Sequence, residues 1–481
     1  MKLANPEALR FRPGGSEGEM SVEAGDQERA VPKAAGYNAS GHVSALRIFD
    51  YNLPMVSTGF MFLLVNMYLM KFATDVLLMA PAVIGMIFGL SRIWDAVTDP
   101  LVGFWTDRTR NRMGRRRPWL LASIFPLGAA FYVMWNPPLA LSTGELTAWM
   151  AFGVFLFYTA MTIVVVPHQS LGAEISDDPH QRTRIFGGRH ALYVLGSFGA
   201  LGAMSLMIDA ADVRATASRV SIFTIFVGAL FTLWMVWRVP ERLEYQGRGG
   251  KNPFASYADV FRNRHARLLL VVFLAESLGS ATINALTIYV AEYVVGTPAF
   301  APLYILFYMI PSALFVPFWV KVSGRYGKKR IWMLSMFIAG LGFGAMFLLQ
   351  EGDVVMISVL AAILGFNGCA GNVVAPSIQA DVIDFDELET GQRKEGAYFA
   401  AWNFVYKFGT GLTLMLTGFV LELSGFVPNA VQSEEAVFAL KALYGLFPLV
   451  CYLLATLLLS RFSLDEAAHA KVREQLNERA N

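Results

Sequence analysis

The stretch APAVIGMIFGLSRIWDAVTDPLVGFW (80–105), running straight into TDRTRNRMGRRRP (106–118), decides the fold. The first part is apolar over the length that crosses a bilayer as a helix, about 20 residues. Its interior carries two carboxylates, Asp95 and Asp99. The second part sets Arg108, Arg110, Arg112, Arg115, Arg116 and Arg117 against Asp107. Basic loops beside apolar helices stay in the cytoplasm.

The pattern recurs in both directions. Spans are expected near 48–72, 80–105, 118–137, 147–171, 185–208, 218–238, 267–294, 299–323, 331–350, 354–380, 396–424 and 437–461, twelve in all. Gly and Pro inside them are tolerated in membrane helices. The 481 residues are 55% apolar and 16% charged, against about 25% charged in a soluble domain. Mean hydropathy is +0.47. So much apolar surface cannot all face inward in water, which excludes a soluble fold. A net charge of +2 gives no ground for a nucleic-acid partner.

The connectors alternate in charge. Residues 324–330 carry Arg325, Lys328, Lys329 and Arg330, and 239–266 is also basic. WNPPLALSTGEL (135–146) has no base, GTPAFAP (296–302) has no charge, and EGDVV (351–355) is acidic. Both termini are therefore expected in the cytoplasm, and the chain in the cytoplasmic membrane. Residues 1–45 lack the apolar core of a signal peptide and read as a disordered cytoplasmic tail. Residues 463–481 read as a second, helix-prone tail. Cys369 and Cys451 fall in spans and read as packing residues.

The basic connectors follow spans two and eight. These positions are equivalent if the chain is two six-helix bundles, 46–238 and 267–462, joined by a linker, 239–266. TDRTRNRMGRRRP (106–118) and SGRYGKKRI (323–331) share Gly-flanked bases between two spans, the weak internal symmetry that transporters show. Such bases fix topology and can also hold one helix against another.

Three longer stretches resemble the glycoside–pentoside–hexuronide:cation symporters, the melibiose-permease branch of the major facilitator superfamily. They are SRIWDAVTDPLVGFWTDRTRNRMGRRRPW (91–119), PHQSLGAEISDDPHQRTRIFGGR (167–189) and ADVIDFDELETGQRKEGAYFAAWNFVYKFG (380–409), and the likeness runs from about 48 to 462. The resemblance implies an all-α fold of twelve transmembrane helices in two bundles, alternating access, and cation-coupled symport of a sugar, glycoside or sugar acid. The coupling ion would be H+ or Na+, with no other cofactor. The chain has no P-loop, HExxH, CxxC or GxSxG element, so no motif argues for an enzyme or an ATP-driven pump. GLGFG (340–344) lies inside an apolar span and reads as close helix packing.

An ionisable group inside a span is costly enough to need a reason. Asp95 and Asp99 are spaced i, i+4 and share one helix face. Their repulsion is relieved by a bound cation or a shared proton, or by salt bridges to bases on other helices. The resemblance places the family's cation site at these two aspartates, where sodium is the one metal expected. Thr98 and Asn66 are candidate helpers. Lys407, midway along span eleven, must be paired or deprotonated, and Asp95 and Asp99 are its expected partners. Arg189 stands where the family keeps a substrate-interacting arginine; alternatively it snorkels to the cytoplasmic surface. Asn372 and Trp402, with Asn52, Asn367, Gln379 and Asn403, are candidates to bond or stack on a sugar ring. Asp107, Arg108 and Arg115 after span two, and Asp381, Asp384 and Arg393 in the connector 381–395, are candidate gating residues. The acidic connector is read mostly as a solvated loop, part of which latches onto the basic connector after span two. Glu276 and His168 are either steps of a proton path or hydrogen-bonded structural groups.

The chain departs from the family pattern at Gly59 and Val165, where the melibiose permease has sugar-site aspartates in its first and fourth spans. A galactoside anchor is therefore missing. Arg189 and Lys407 are left with fewer acidic neighbours, which favours an anionic sugar such as a hexuronide, whose carboxylate fits the arginine fork. One carboxylate fewer near the cation favours a proton over sodium. The competing readings are a lysolipid carrier of the same fold and a non-transporting sensor or channel. The expected partners are the solute, the coupling cation and membrane lipid, around a monomer.

Overall fold

Helices satisfy their own backbone polar groups, which is what hydrocarbon demands of a spanning segment. The computed structural model describes residues 43–176, 179–241, 260–391 and 395–480, and these contain helices and no strand. Among the described residues nine helices are long and apolar enough to cross a membrane, and a pair bent by 53°, Pro298–Leu314 with Val316–Tyr326, makes a tenth if it is one broken span. Two further long helices, Pro81–Arg108 and Lys328–Met346, run among them. The first carries Arg92, Asp95 and Asp99, and the second opens on two lysines and an arginine, so composition alone does not mark them as spans. The expected tail up to residue 42 and the linker over 242–259 lie outside the described residues.

The first half holds α1 (Ala45–Asn52), α2 (Pro54–Met67), α3 (Pro81–Arg108), α4 (Arg117–Trp135), α5 (Thr143–Ile175), α6 (Pro179–Ile208) and α7 (Val213–Arg238). The second holds α8 (Arg264–Tyr293), α9 (Ala301–Leu314), α10 (Val316–Tyr326), α11 (Lys328–Met346), α12 (Val354–Thr390), α13 (Glu395–Leu423), α14 (Glu434–Lys441), α15 (Phe447–Ser460) and α16 (Glu466–Ala480). Starts are set locally. Proline occupies the first turn of α2, α3 and α4. Ser142 and Glu145 close a capping box at α5. Within the first half α2 packs on α6, and α5 on α3 and α4. Within the second, α8 packs on α13 and α15, and α12 on α9 and α11.

The halves meet most extensively along α3 and α13. Small residues let these helix backbones touch, the usual device where hydrophobicity gives no drive for association. A Cβ on Gly418 would lie 2.3 Å from the Pro81 carbonyl oxygen, and one on Gly85 2.7 Å from that of Leu414. The helices run antiparallel, so residues further along α3 face earlier residues of α13.

The two ends of the bundle differ. At the end opposite the basic connectors, polar contacts cross between the halves. Lys71 pairs with Glu292 of α8 as well as with Asp75. Tyr293 donates to Asp75 at 2.7 Å, Thr74 and Tyr289 share a hydrogen bond of 2.8 Å, and Glu422 of α13 accepts the Ala82 N–H at 3.0 Å. Asn429 donates to the Asp75 carbonyl at 2.6 Å. At the basic end, every ion pair between described residues stays within one half.

Glu292→Gln removes the charge that Lys71 meets across the halves. A single charge-assisted contact is worth enough to shift a two-state balance by about 10-fold. Ser280 lines a cavity of the second half that Met67 of the first half helps to close, and both native cysteines are buried. A Ser280→Cys reporter is therefore expected to react faster in the Glu292→Gln background with an impermeant thiol reagent applied from the side opposite the basic connectors. Equal rates would contradict the latch.

Candidate cation and substrate site

The α3–α13 contact positions the centre. Gly89 lies against Gly411, so about two and three helical turns further along α3, Asp95 and Asp99 face Lys407, one turn before Gly411 on α13. Lys407 Nζ stands 2.8 Å from Asp95 Oδ2 and 2.6 Å from Asp99 Oδ2. Thr162 of α5 adds a hydroxyl, 2.7 Å from Asp95 Oδ1 and 3.0 Å from Asp99 Oδ1. A hydroxyl has one hydrogen, so it donates to one carboxylate at a time. Arg92 sits behind: its Nη1 is 3.9 Å from Asp95 Oδ2, and its Nη2 donates to Asn66 Oδ1. The guanidinium lies 4.2 Å from the ring centre of Tyr158, a cation–π arrangement. Asn66 is fixed in turn by donating to the Phe62 carbonyl at 2.6 Å.

The side chain of Asp95 is 6% exposed, that of Asp99 27% and that of Lys407 20%. Asp99 and Lys407 are therefore the more exposed members, and Asp95 is the deep one. Two cations and two carboxylates leave the centre neutral as it stands. Among the described residues no group of three His, Cys, Asp or Glu side chains gathers as for a metal ion. A sodium ion here would need Thr162 and carbonyl oxygens beside the two carboxylates.

The model of the family described as MFS/sugar transport protein matches residues 51–466. The chain belongs to this family. Among curated proteins, the MFS/sugar transport chain is 28% identical over 464 residues to an uncharacterized symporter, YjmB, of Bacillus subtilis, covering 93% of this chain and 98% of that one. It is 26% identical over 430 residues to the isoprimeverose transporter of Lactiplantibacillus pentosus, covering 87% and 88%. It is 25% identical over 447 residues to a putative sulfoquinovose importer of Escherichia coli, covering 90% and 93%. Among solved structures, the nucleoside transporter NupG superposes with a TM-score of 0.64 at 14% identity, over 86% of this chain and 99% of that one. That likeness concerns the fold.

The remaining expected residues divide. Asn66 joins the centre through Arg92; Thr98 instead bonds the Asp95 carbonyl at 3.1 Å. Arg189 lies in α6, and its Nε is buried without a hydrogen-bond partner among the described residues. Trp402 turns into the second half and stacks on Phe273 at 4.3 Å. Asn372 lies in α12, and its side chain is outside the described set. Asn52 and Asn367 bond neighbouring helix carbonyls and serve packing. His168 is stacked on Tyr51 and hydrogen-bonded to it through both ring nitrogens, the structural reading of that residue. Gly59 is a family departure with a cause in packing. A Cβ there would lie 2.0 Å from the Tyr193 carbonyl oxygen, so α6 fills the space an aspartate would need. Val165 is one turn from Thr162 and packs on the core.

The gating residues need a correction. The acidic segment is not a solvated loop: α12 continues to Thr390, and Asp381, Asp384 and Asp386 are buried. Among the ion pairs between described residues, its partners belong to its own half. Asp381 pairs with Lys328 at 2.7 Å, and Asp384 with His469 of α16 at 3.0 Å and Arg473 at 3.6 Å. The physical reason is proximity: the connector after span eight and α16 belong to the same half and cover these acids. Arg393 lies outside the described residues. In the first half Asp107 meets Arg116, and Arg115 Nη1 at 3.6 Å. Arg115 Nη2 also reaches Glu174 at 2.7 Å. Arg108 lies over the Phe104 ring at 3.9 Å.

Sequence reading missed Arg92, Thr162, Glu174 and Glu241. Arg92 had a signal, a base i, i+3 from Asp95 in an apolar run. Thr162 had one too, a hydroxyl on the face that carries Val165. Glu241 had none, because its role is tertiary. It accepts the backbone N–H groups of Arg115 at 2.7 Å, Arg116 at 2.9 Å and Arg117 at 3.1 Å, capping the start of α4. Helix N-termini leave such donors unpaired and favour an anion there. Glu241→Ala is expected to lower stability by about 1–2 kcal/mol, on the scale of a lost cap, read as a drop in melting temperature of the detergent-purified protein.

Lys407→Met would leave two carboxylates facing each other without their cation. The expected cost is about 3 kcal/mol, as for a broken buried pair. Adding Asp99→Asn should restore part of it, because a single carboxylate still has Arg92 behind it. Equal melting temperatures for the single and double variants would contradict this geometry.

Proposed function

We propose that this chain is a cation-coupled symporter of a sugar or sugar acid, working by alternating access from the Asp95–Asp99–Lys407 centre. The observation that carries the reading is the ammonium of Lys407, held from one half between two carboxylates of the other, inside a chain of the MFS/sugar transport family. A coupling cation and Lys407 want the same carboxylate oxygens. A proton on Asp99, or a sodium ion between the aspartates and Thr162, weakens the hold on Lys407. The freed ammonium can then meet the solute, so that cation and solute bind together.

Charge balance favours an anionic solute. The empty centre is neutral, so a cation alone leaves it one charge positive in a medium where net charge is costly. A sugar acid would cancel that charge, with its acidic group toward Lys407 or Arg189. The name of one similar protein, a putative sulfoquinovose importer, is consistent with an acidic sugar, and that of another, the isoprimeverose transporter, with a neutral one. Twelve crossings, with Pro81–Arg108 and Lys328–Met346 as the second and ninth, fit both the helix lengths and the alternating connectors. We read the basic end as cytoplasmic in an inner membrane, which puts both termini inside. The latched end is then external, and the conformation is inward-facing. A monomer suffices, since both halves of the centre come from one chain.

Uptake by vesicles of labelled isoprimeverose, sulfoquinovose and D-glucuronate, under an imposed proton or sodium gradient, tests the proposal. Gradient-driven accumulation of at least one is expected in the wild type and lost in Asp99→Asn, with the acidic sugars preferred. Accumulation that survives Asp99→Asn at full level would overturn the role given to the centre.

A further inference from the structure

The second half holds a cavity that the centre does not use. It measures about 90 Å³, and its walls include Ser280 and Asn284 of α8, Tyr308 of α9, Phe343 of α11 and Tyr452 of α15. Met67 of α2 closes it from the first half. One water takes about 10–15 Å³ of such space, so there is room for about six, or about 180 Å³ of liquid water. That is the size of one sugar ring with its hydroxyls and too little for two. No charged side chain lines the cavity. Glu276, one turn before Ser280, stays outside it, its carboxylate hydrogen-bonded to the Trp332 indole.

Three polar groups of the walls are open. Tyr452 is only 8% exposed, yet its hydroxyl bonds to no other described residue, and neither does the Tyr308 hydroxyl or the Asn284 amide. Buried tyrosine hydroxyls usually find a partner, and one without asks for an explanation. Asn284 is exposed in the middle of α8, next to the buried Thr282 and Ala285. The Tyr308 hydroxyl has its place because α12 offers no side chain there: a Cβ on Gly368 would lie 2.8 Å from it. Phe343 stacks on Tyr452 at 5.6 Å and adds a ring to the wall. Aromatic walls with a few open polar groups are the make-up of a small-molecule pocket. An ion here would lack a counter-charge, and an acyl chain would leave all three groups unpaired. A hydroxylated ring suits both features, with hydroxyls for the polar groups and C–H faces for the aromatic rings.

We propose that this cavity seats the ring of the transported sugar, with any acidic group of the solute outside it. The hydroxyls of Tyr308 and Tyr452 and the amide of Asn284 pair with ring hydroxyls and so set which hydroxyl pattern is carried. The proposal rests on the sugar-symport reading above and adds to it the place of the ring. It also gives the ring a link to the centre. Met67 follows Asn66 on α2, and Asn66 accepts a hydrogen bond from Arg92, which stands behind Asp95. A ring that fills the cavity therefore meets the same helix that braces the centre, and touches both halves at once.

The test is calorimetric binding of isoprimeverose, sulfoquinovose and D-glucuronate to the detergent-purified full chain, followed by the monodeoxy derivatives of the sugar that binds. Tyr308→Phe and Tyr452→Phe each remove one hydroxyl and keep the ring that packs. Each is expected to weaken sugar binding by about 5-fold, the scale of one neutral hydrogen bond. One monodeoxy derivative should lose a similar factor in the wild type and nothing further in Tyr452→Phe, which a merely structural role would not produce. Saturating sugar should also slow the reaction of a Ser280→Cys variant with a thiol reagent, a readout that leaves the tyrosines intact. Unchanged sugar affinity in both tyrosine variants, or an undiminished thiol rate with sugar bound, would overturn the subsite alone. If none of the three sugars binds the wild type, the transport reading falls and the subsite with it.

Discussion

A lysine placed in hydrocarbon has to find an anion, and the fold is arranged around how Lys407 does so. Its partners are not on its own half. Asp95 and Asp99 stand on α3, and the ammonium reaches both within 2.8 Å. That reach requires α3 and α13 to lie with backbones in contact, which the glycines of both helices allow. This interior charge interaction is therefore also a tie between the two halves. Anything that competes for the carboxylates loosens that tie, which links the chemistry of binding to the relative motion of the halves.

The polar contacts outside the centre fit the same scheme. At one end, Lys71, Asp75, Tyr293 and Asn429 join the halves. At the other, the ion pairs between described residues lie within one half: Asp107 and Glu174 hold Arg115 and Arg116, while Asp381 and Asp384 hold Lys328 and His469. Each half is thus braced as a body at the basic end, and the bodies are pinned together at the other. Rigid halves turning about a central tie is how alternating access works in such folds.

Most of this was legible in the sequence for a physical reason. Apolar runs long enough to span a bilayer, alternating with basic and non-basic connectors, are dictated by the membrane and survive without any knowledge of packing. Carboxylates and a lysine inside those runs are costly, so their pairing could be foreseen. Asp95, Asp99 and Lys407 meet as expected. What the sequence hid is tertiary. Glu241 caps α4 from beyond α7, and nothing local to Glu241 points there. Gly59 reads as a missing aspartate, but its meaning is that α6 needs the space. Asp381 and Asp384 read as loop residues because a run of acids suggests solvent; Lys328 and α16 cover them instead. The stacking of Trp402 on Phe273 is likewise a tertiary contact that nothing local announces.

The central claim is that the coupling cation and Lys407 compete for the same two carboxylates. The most direct measurement is cation binding to Lys407→Gln, by calorimetric titration with sodium and by proton uptake from unbuffered solution, each compared with the wild type. Competition predicts tighter binding of the coupling ion once the ammonium is gone, by about 10-fold or more for a contact of this kind. Weaker or abolished binding would mean that Lys407 helps to build the cation site, and would contradict the account.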